Sequence, residues 1–165
     1  MIAYRPIGEE DLPFLRELYA STRADEMVVV PWDEAQKRAF LEMQFEAQHT
    51  YYLEQFADAS FDLILQDGEP IGRLYIDRRD DEHRLIDIAL LPAARGRGIG
   101  GSIMRRLLDE AAAESKPVRI HVEQHNTAMR LYERLGFERI EEQGVYWFME
   151  WQPPQPAAAA QGGAR

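Results

Sequence analysis

Residues Arg95–Gly101 read R-G-R-G-I-G-G and combine two arginines with four glycines. They follow a β-prone run that ends at Pro92 and precede an amphipathic segment, so they predict a turn that enters a helix. Backbone N–H groups in the first turn of a helix have no intrahelical partner, and the helix dipole adds about half a positive charge there. Phosphate groups bind well at such a position, so the segment predicts an anion-binding site.

Three interpretations of this turn are open. Gly96, Gly98 and Gly101 satisfy the G-x-G-x-x-G dinucleotide fingerprint, which should open a βαβ unit and precede an acidic residue by about 20 positions. Here the motif lies past mid-chain, Glu123 is the nearest acid near the end of the next strand, and no second mononucleotide-binding half follows. A Walker loop is excluded because no Gly-Lys-Ser/Thr follows. A glycine-rich helix entry without a ligand is the second interpretation.

The third interpretation is a resemblance. R-G-R-G-I-G at Arg95–Gly100 resembles the Arg/Gln-x-x-Gly-x-Gly/Ala signature of the GNAT superfamily of N-acetyltransferases. A second segment at 118–137, V-R-I-H-V-E-Q-H-N-T-A-M-R-L-Y-E-R-L-G-F, is similar to that family's next strand, its Asn-containing turn and its L-Y-x-x-L-G-F helix. The two motifs stand in the family's order, one helix apart. The resemblance covers 84–151, and 1–76 fit the family's usual order more loosely.

The resemblance implies acetyl-CoA as cosubstrate, with the amides of the turn and the following helix holding its pyrophosphate. It also implies direct transfer of the acetyl group to a primary amine of a small molecule or peptide. A non-catalytic acyl-CoA-binding or sensing module is the alternative. The implied cofactor-binding residues lie at the end of a strand, in the turn and before the last helix: Ile88, Ala89, Leu90, Arg95, Gly96, Arg97, Gly98, Ile99, Gly100, Gly101 and Asn126.

Three residues are candidates for the proton transfers. The resemblance implies that Tyr132 donates to the coenzyme A sulfur, although helical periodicity alone would also predict a buried tyrosine there. His121 occupies the strand position at which some family members carry a Glu base, and a neutral imidazole accepts a proton near pH 7. Asp87 is the acid within the strand before the turn and is the rival base. Asn126 also suits a helix N-cap.

The acceptor site is predicted from aromatic residues in the first helices and the final hairpin, where the resembling family builds its pocket walls. An aromatic cluster stacks on apolar or cationic acceptors. Two histidines on a strand and its turn, His121 and His125, are a poor ligand set without cysteine, so no metal site is predicted. The candidate substrate residues are Trp32, His49, Tyr51 and Tyr146.

Composition limits the classes of function. The formal net charge is −10, which argues against nucleic acid as the main partner because phosphate binding depends on Lys and Arg. The chain has no cysteine, which excludes disulfides and a cysteine acyl-enzyme. The N-terminus lacks a signal-peptide core and no apolar run approaches about 18 residues, so a cytoplasmic protein without membrane contact is predicted. Homodimerisation is common in the resembling family.

The fold class predicted is α/β (α+β), a mixed six- or seven-stranded sheet with helices on both faces, as in the acyl-CoA N-acyltransferase fold. One domain is predicted over 1–151, followed by a disordered tail at 152–165. The predicted strands are Ile2–Arg5, Phe61–Gln66, Ile71–Asp77, Arg84–Leu91, Val118–Glu123, Phe137–Glu142 and Val145–Trp151. The predicted helices are Glu9–Tyr19, Glu34–Phe56 as one long helix or as two with a break near His49, Gly100–Glu114 and Thr127–Leu135. Asp33 is a suitable cap for the helix that follows it, and Asp67-Gly68 predicts a hairpin turn.

Overall fold

A computed structural model describes residues 1–154, so the predicted tail lies outside the described residues from position 155 onward. Within 1–154 the strands are β1 (Ile2–Pro6), β2 (Ser60–Gln66), β3 (Glu69–Arg78), β4 (His83–Leu90), β5 (Val118–Glu123), β6 (Glu138–Gln143) and β7 (Tyr146–Trp151). The α-helices are α1 (Leu12–Thr22), α2 (Ala24–Val28), α3 (Glu34–Gln55), α4 (Ile99–Ala113) and α5 (Met129–Arg134).

The strands form one seven-stranded sheet in the order β1-β2-β3-β4-β5-β7-β6. β1 and β2, β2 and β3, β5 and β7, and β6 and β7 pair antiparallel, whereas β4 and β5 pair parallel. In this parallel pair, His83–Leu85 lie opposite Val118–Ile120, so the pairing covers the first three residues of β4. The prediction of a mixed sheet is confirmed, and the number of strands is seven.

Contacts within the chain divide it into two compact units. The first comprises Met1–Asp77 and Ile86–Gly100. Its helices bury one apolar face because their leucines and aromatic residues recur at helical spacing. The centre of this core is formed by Leu15, Tyr19, Phe45 and Leu63.

The second unit comprises Arg78–Leu85 and the chain from Gly101 onward. Helix α4 buries residues spaced three and four apart, which is the pattern predicted for an amphipathic helix. Strand β5 alternates between buried and more exposed positions, with Val118, Ile120 and Val122 buried. The buried residues of α4 are Ile103, Met104, Leu107, Leu108 and Ala111.

The structure differs from the predicted helices at several points. Helix α3 runs through His49 without a break, so it is the single long helix of the two alternatives. Asp33 caps its N-terminus, because the Asp33 carboxylate accepts from the Gln36 N–H at 2.8 Å. Helix α2 was not predicted. It ends at Val28, and Val29 and Val30 form the turn that follows it. The first predicted helix begins as a short 3₁₀ turn at Glu9–Asp11.

The Asp67-Gly68 turn between β2 and β3 is as predicted for a tight hairpin. Both residues have positive φ, 51° and 87°. This is the conformation that a two-residue turn needs to match the twist of its strands. No helix within 1–154 combines the length and apolar character that spanning a membrane requires.

Candidate coenzyme and acetyl-transfer site

The turn after β4 is braced by the side chain of Arg95. Its Nε donates to the Leu90 carbonyl at 2.8 Å, and its Nη2 donates to the Ser21 hydroxyl at 3.2 Å. A short 3₁₀ turn at Pro92–Ala94 connects the strand to the turn. Arg95 therefore fixes the path of the chain from β4, and the Leu90 carbonyl already has a donor.

The glycines of this turn leave backbone amides open. Gly96 and Gly98 have φ of 72° and 80°, and a Cβ added at either would meet nothing within 4 Å. No described residue accepts a hydrogen bond from the N–H of Gly96, Arg97 or Gly98. Open N–H groups beside a helix N-terminus are suited to a phosphate. The turn therefore has unpaired backbone donors, and its binding of an anion stays a prediction.

Two further arginines lie at this helix N-terminus. Arg97 is exposed and makes no ion pair or hydrogen bond with any residue in the described part of the chain. Arg105 places its Nη1 atom 3.4 Å from where a Gly101 Cβ would lie. The sequence analysis missed Arg105. Its position four residues after Gly101 was the available signal, because helical side chains tilt toward the N-terminus.

Asp87, one candidate base, is the counter-ion of a buried arginine. Its Oδ2 accepts from Arg73 Nε at 2.6 Å, and Arg73 Nη2 donates to Gln48 Oε1 at 2.8 Å. The Arg73 side chain is 4% exposed and Asp87 is 27% exposed. Burial lowers the pKa of Arg73, but attraction by Asp87, Tyr75 and Tyr52 and the hydrogen bond to Asp87 together outweigh it and hold this pKa above its ordinary value. No local pattern in the sequence predicts this ion pair.

His121, the other candidate base, is exposed on β5, and one of its two ring nitrogens makes a hydrogen bond. Its Nε2 lies 2.9 Å from Gln143 Oε1, and the Gln143 amide nitrogen donates to Glu141 at 2.8 Å. With the amide oriented by Glu141, its oxygen faces His121, which assigns the proton to Nε2. The Nδ1 lone pair is then the basic atom. The imidazole also packs on the ring of Phe148, with 4.7 Å between the ring centroids.

Asn126 shapes the turn before α5. Its Oδ1 accepts from the Ala128 N–H at 2.7 Å, an Asx turn that satisfies a donor ahead of the helix. The helix begins at Met129, two residues later than predicted, and its N-cap residue is Ala128. The predicted N-cap role of Asn126 is therefore wrong, and its side chain instead forms the turn ahead of the helix.

Tyr132 is a buried residue of α5, close to the motif that ends this helix. Gly136 has φ of 104°, its N–H donates to Glu133, and the Phe137 N–H donates to the Tyr132 carbonyl at 3.0 Å. This is a Schellman motif, which commonly brings its flanking apolar residues together. Here the rings of Tyr132 and Phe137 meet edge to face at 5.7 Å. Helix termination alone therefore accounts for the position of Tyr132.

Three of the predicted acceptor residues lie in the first unit, and each of their rings packs on a neighbour outside the predicted set. In the first unit, Trp32 packs on Phe40 and His49 stacks on Phe45, at centroid distances of 5.2 and 5.3 Å. Burial lowers the pKa of His49, against the opposing attraction of Glu46. Tyr51 lies two positions after His49, hence about 200° around α3 from it.

Tyr146 belongs to the second unit, where it begins β7 and is 43% exposed. The first unit also has an open groove of about 440 Å³ formed by α1, α2 and α3, and none of the predicted acceptor residues lines it. Acidic and basic side chains both line this groove: Arg16, Glu17, Glu34, Lys37, Arg38 and Glu42.

Comparison with known families decides among the interpretations of the turn. The model of the acetyltransferase (GNAT) family matches residues 15–137, which is more than half of the chain. The chain belongs to this family. The GNAT match includes α1, β4, the glycine turn, α4 and the segment that ends at Phe137.

A curated relative of this GNAT chain is the spore coat polysaccharide biosynthesis protein SpsD of Bacillus subtilis (strain 168). The two are 35% identical over 86 residues, which is 51% of this chain and 29% of SpsD. The chain thus spans less than a third of the length of the curated relative that it matches.

Solved structures share the GNAT fold at low sequence identity. The PaiA N-acetyltransferase of Thermoplasma acidophilum, crystallised with coenzyme A, is 17% identical with a TM-score of 0.68, covering 92% of this chain and 99% of that one. The ribosomal-protein-S18-alanine N-acetyltransferase of Escherichia coli is 20% identical with a TM-score of 0.62, covering 94% and 96%. These similarities confirm the predicted fold class.

Proposed function

We propose that this protein transfers an acetyl group from acetyl-CoA to a primary amine by direct attack of the amine. The observation that carries this proposal is the turn at Gly96–Gly98, whose three N–H groups have no acceptor among the described residues and whose glycines leave open space. In a GNAT acetyltransferase such a turn is suited to the pyrophosphate of coenzyme A. Arg97 adds positive charge within the turn, and Arg95 braces the loop.

The transfer forms a carbon–nitrogen bond and breaks the thioester carbon–sulfur bond. The amine loses one proton and the thiolate gains one, so the products are an N-acetyl amide and the free thiol. A lysine-like amine has a pKa of about 10.4, so deprotonating it at pH 7 costs about 4.6 kcal/mol, against about 1 kcal/mol for an α-amine. The more basic the acceptor, the more the reaction gains from a general base.

Our proposal assigns the acid to Tyr132 and the base to His121, with Asp87 as the alternative base. The Nδ1 lone pair of His121 is available because the Gln143 amide oxygen engages Nε2. Asp87, in contrast, already accepts a hydrogen bond from a buried guanidinium. The main chain of Ile88 and Ala89 would bind the pantetheine arm, and Asn126 would help to position it.

A panel of peptides, amino acids, polyamines and aminoglycosides tests the proposal when release of free thiol from acetyl-CoA is measured with each amine. Turnover with at least one amine, and an acetylated product detected by mass spectrometry, are expected. The rival function is a non-catalytic acyl-CoA sensor. The ion pair between Arg73 and Asp87 favours this rival, because a carboxylate held by an arginine is a weaker base. Tight coenzyme binding without turnover across the panel would support the sensor instead.

Replacing Gly98 by Val should weaken coenzyme binding by at least about tenfold, or about 1.4 kcal/mol. A side chain at this position would fill the space through which the backbone approaches the phosphates. The measurement is the Kd for coenzyme A by calorimetry. Gly68→Val is the matched control, because Gly68 also has positive φ and open space, and it lies in the β2–β3 turn. Equal affinities in the two variants would contradict the phosphate-binding role.

His121→Gln should lower kcat/KM by about 10²-fold at neutral pH, the loss typical of a missing general base. Glutamine keeps a polar side chain at this position but has no basic nitrogen that could accept the proton. Steady-state kinetics with an amine that the wild type acetylates measure the loss. His125→Gln, an exposed histidine in the next turn, is the control. A kcat/KM that is unchanged in His121→Gln would transfer the role of base to Asp87.

A further inference from the structure

His83, the first residue of β4, is fully buried with two unsatisfied nitrogens. Its exposure is 0%, and neither Nδ1 nor Nε2 has a hydrogen-bond partner among the described residues. Both nitrogens nevertheless face carboxylates of the C-terminal end of α4. Nδ1 lies 3.8 Å from Glu110 Oε2, and Nε2 lies 3.4 Å from Glu114 Oε1.

A neutral imidazole does not satisfy this environment. It has one N–H donor and one acceptor lone pair, whereas an ionised carboxylate only accepts. In either tautomer, one nitrogen lone pair of His83 is directed toward carboxylate oxygen. The arrangement therefore favours a cation among the three side chains.

The three side chains can converge on one ion. One potential ligand atom from each of His83, Glu110 and Glu114 lies within 4.8 Å of the others. Glu110 lies in the last turn of α4 and Glu114 directly follows the end of this helix, where its N–H donates to the Glu110 carbonyl at 3.3 Å. The negative end of the helix dipole also favours a cation at this end of the helix.

We propose that His83, Glu110 and Glu114 form a binding site for a divalent transition metal, with Zn²⁺ as the preferred ion. One imidazole and two carboxylates are ligand types that Zn²⁺ accepts, and three protein ligands leave a fourth position for water. The site is distinct from the glycine turn and from the residues proposed for acetyl transfer.

Two cations compete with the metal for the carboxylates. Arg78 donates to both oxygens of Glu110, and Lys116 lies 3.0 Å from Glu114 Oε1. Their side chains are 40% and 23% exposed, so each has access to solvent when displaced. Lys116 also donates to the Arg79 carbonyl, a partner that it keeps if Glu114 turns to the metal.

Calorimetric titration of the untagged full-length protein with ZnCl₂ tests the site. We expect one Zn²⁺ per chain and a rise in melting temperature of several degrees, because a ligand that binds only the folded state stabilises it. Co²⁺ in place of Zn²⁺ should give the visible absorption of a four-coordinate ion.

Glu114→Gln is the decisive variant because Glu114 is 43% exposed, so its replacement leaves the core intact. Glu133→Gln is a matched control, with the same exposure and an ion pair of 3.0 Å to Arg139. We expect Glu114→Gln to lower the Zn²⁺ affinity at least tenfold and Glu133→Gln to leave it unchanged. Absence of stoichiometric binding to the wild type, or equal affinities in the two variants, would overturn the proposal. If lowering the pH raised the melting temperature and Zn²⁺ had no effect on it, the cation would be a proton, and the proposal would be overturned too.

Discussion

In the Tyr132→Phe variant, kcat should fall by about 10²- to 10⁴-fold, the range typical of a lost general acid, while the Kd for acetyl-CoA stays nearly unchanged. Phenylalanine keeps the ring that packs on Phe137 and the backbone hydrogen bonds that end α5. The change therefore removes the hydroxyl from a helix end that is otherwise preserved. Steady-state kinetics and calorimetric coenzyme titration measure the two effects separately.

Tyr19→Phe provides the comparison, because Tyr19 is also a buried tyrosine in edge contact with a phenylalanine. Loss of a buried tyrosine hydroxyl should have a similar effect on folding in both variants, and the melting temperatures check this. If Tyr132→Phe retained the wild-type rate, Tyr132 would not be the acid, and the burial of its ring would be its whole role.

Asp87→Ala should lower the free energy of unfolding by about 3 kcal/mol, because it leaves the buried Arg73 guanidinium without its counter-ion. Gln48 and the ring of Tyr75, 4.7 Å from the Arg73 Cζ, are neutral and do not replace the lost charge. Urea unfolding measures the loss. Inactivity of this variant would not by itself identify Asp87 as a base, since it would follow from the damage to the fold.

A double-mutant cycle with Arg73→Met separates the two roles of Asp87. If Asp87 is a counter-ion, the Arg73→Met/Asp87→Ala protein should recover part of the stability, with a coupling of at least about 1 kcal/mol. Its kcat should then lie within a few-fold of that of Arg73→Met alone. A stable double variant with kcat reduced about 10²-fold below that of Arg73→Met would instead make Asp87 the base. Additive losses of stability would contradict the counter-ion role.

Local signals in the sequence predicted much of the fold correctly. Asp67-Gly68 specifies its turn through backbone conformation, Asp33 caps α3 with its own carboxylate, and the bounds of β5 are as predicted. The Arg95–Gly101 turn was predictable for the same reason, since glycine backbone and helix N-terminus are both local properties. Features set by neighbouring residues can be read from a single sequence.

Features that depend on distant partners were not predictable. Arg73 and Asp87 are 14 positions apart on different strands, and neither residue type indicates that it will meet the other. Likewise, His83 appears as an ordinary strand residue until α4 brings Glu110 and Glu114 beside it. Residue type alone does not identify an acceptor site, because aromatic rings also pack on their own neighbours, as Trp32 does on Phe40 and His49 does on Phe45.

The Schellman end of α5 has a consequence for how chains of this kind are recognised. Gly136 and Phe137 are required by the geometry of a helix stop, whatever reaction the protein performs. A chain that had lost its catalysis would still need them to fold, and so would retain most of this signature. In this motif, the glycine and the phenylalanine therefore indicate the fold, whereas evidence for activity must come from the tyrosine hydroxyl.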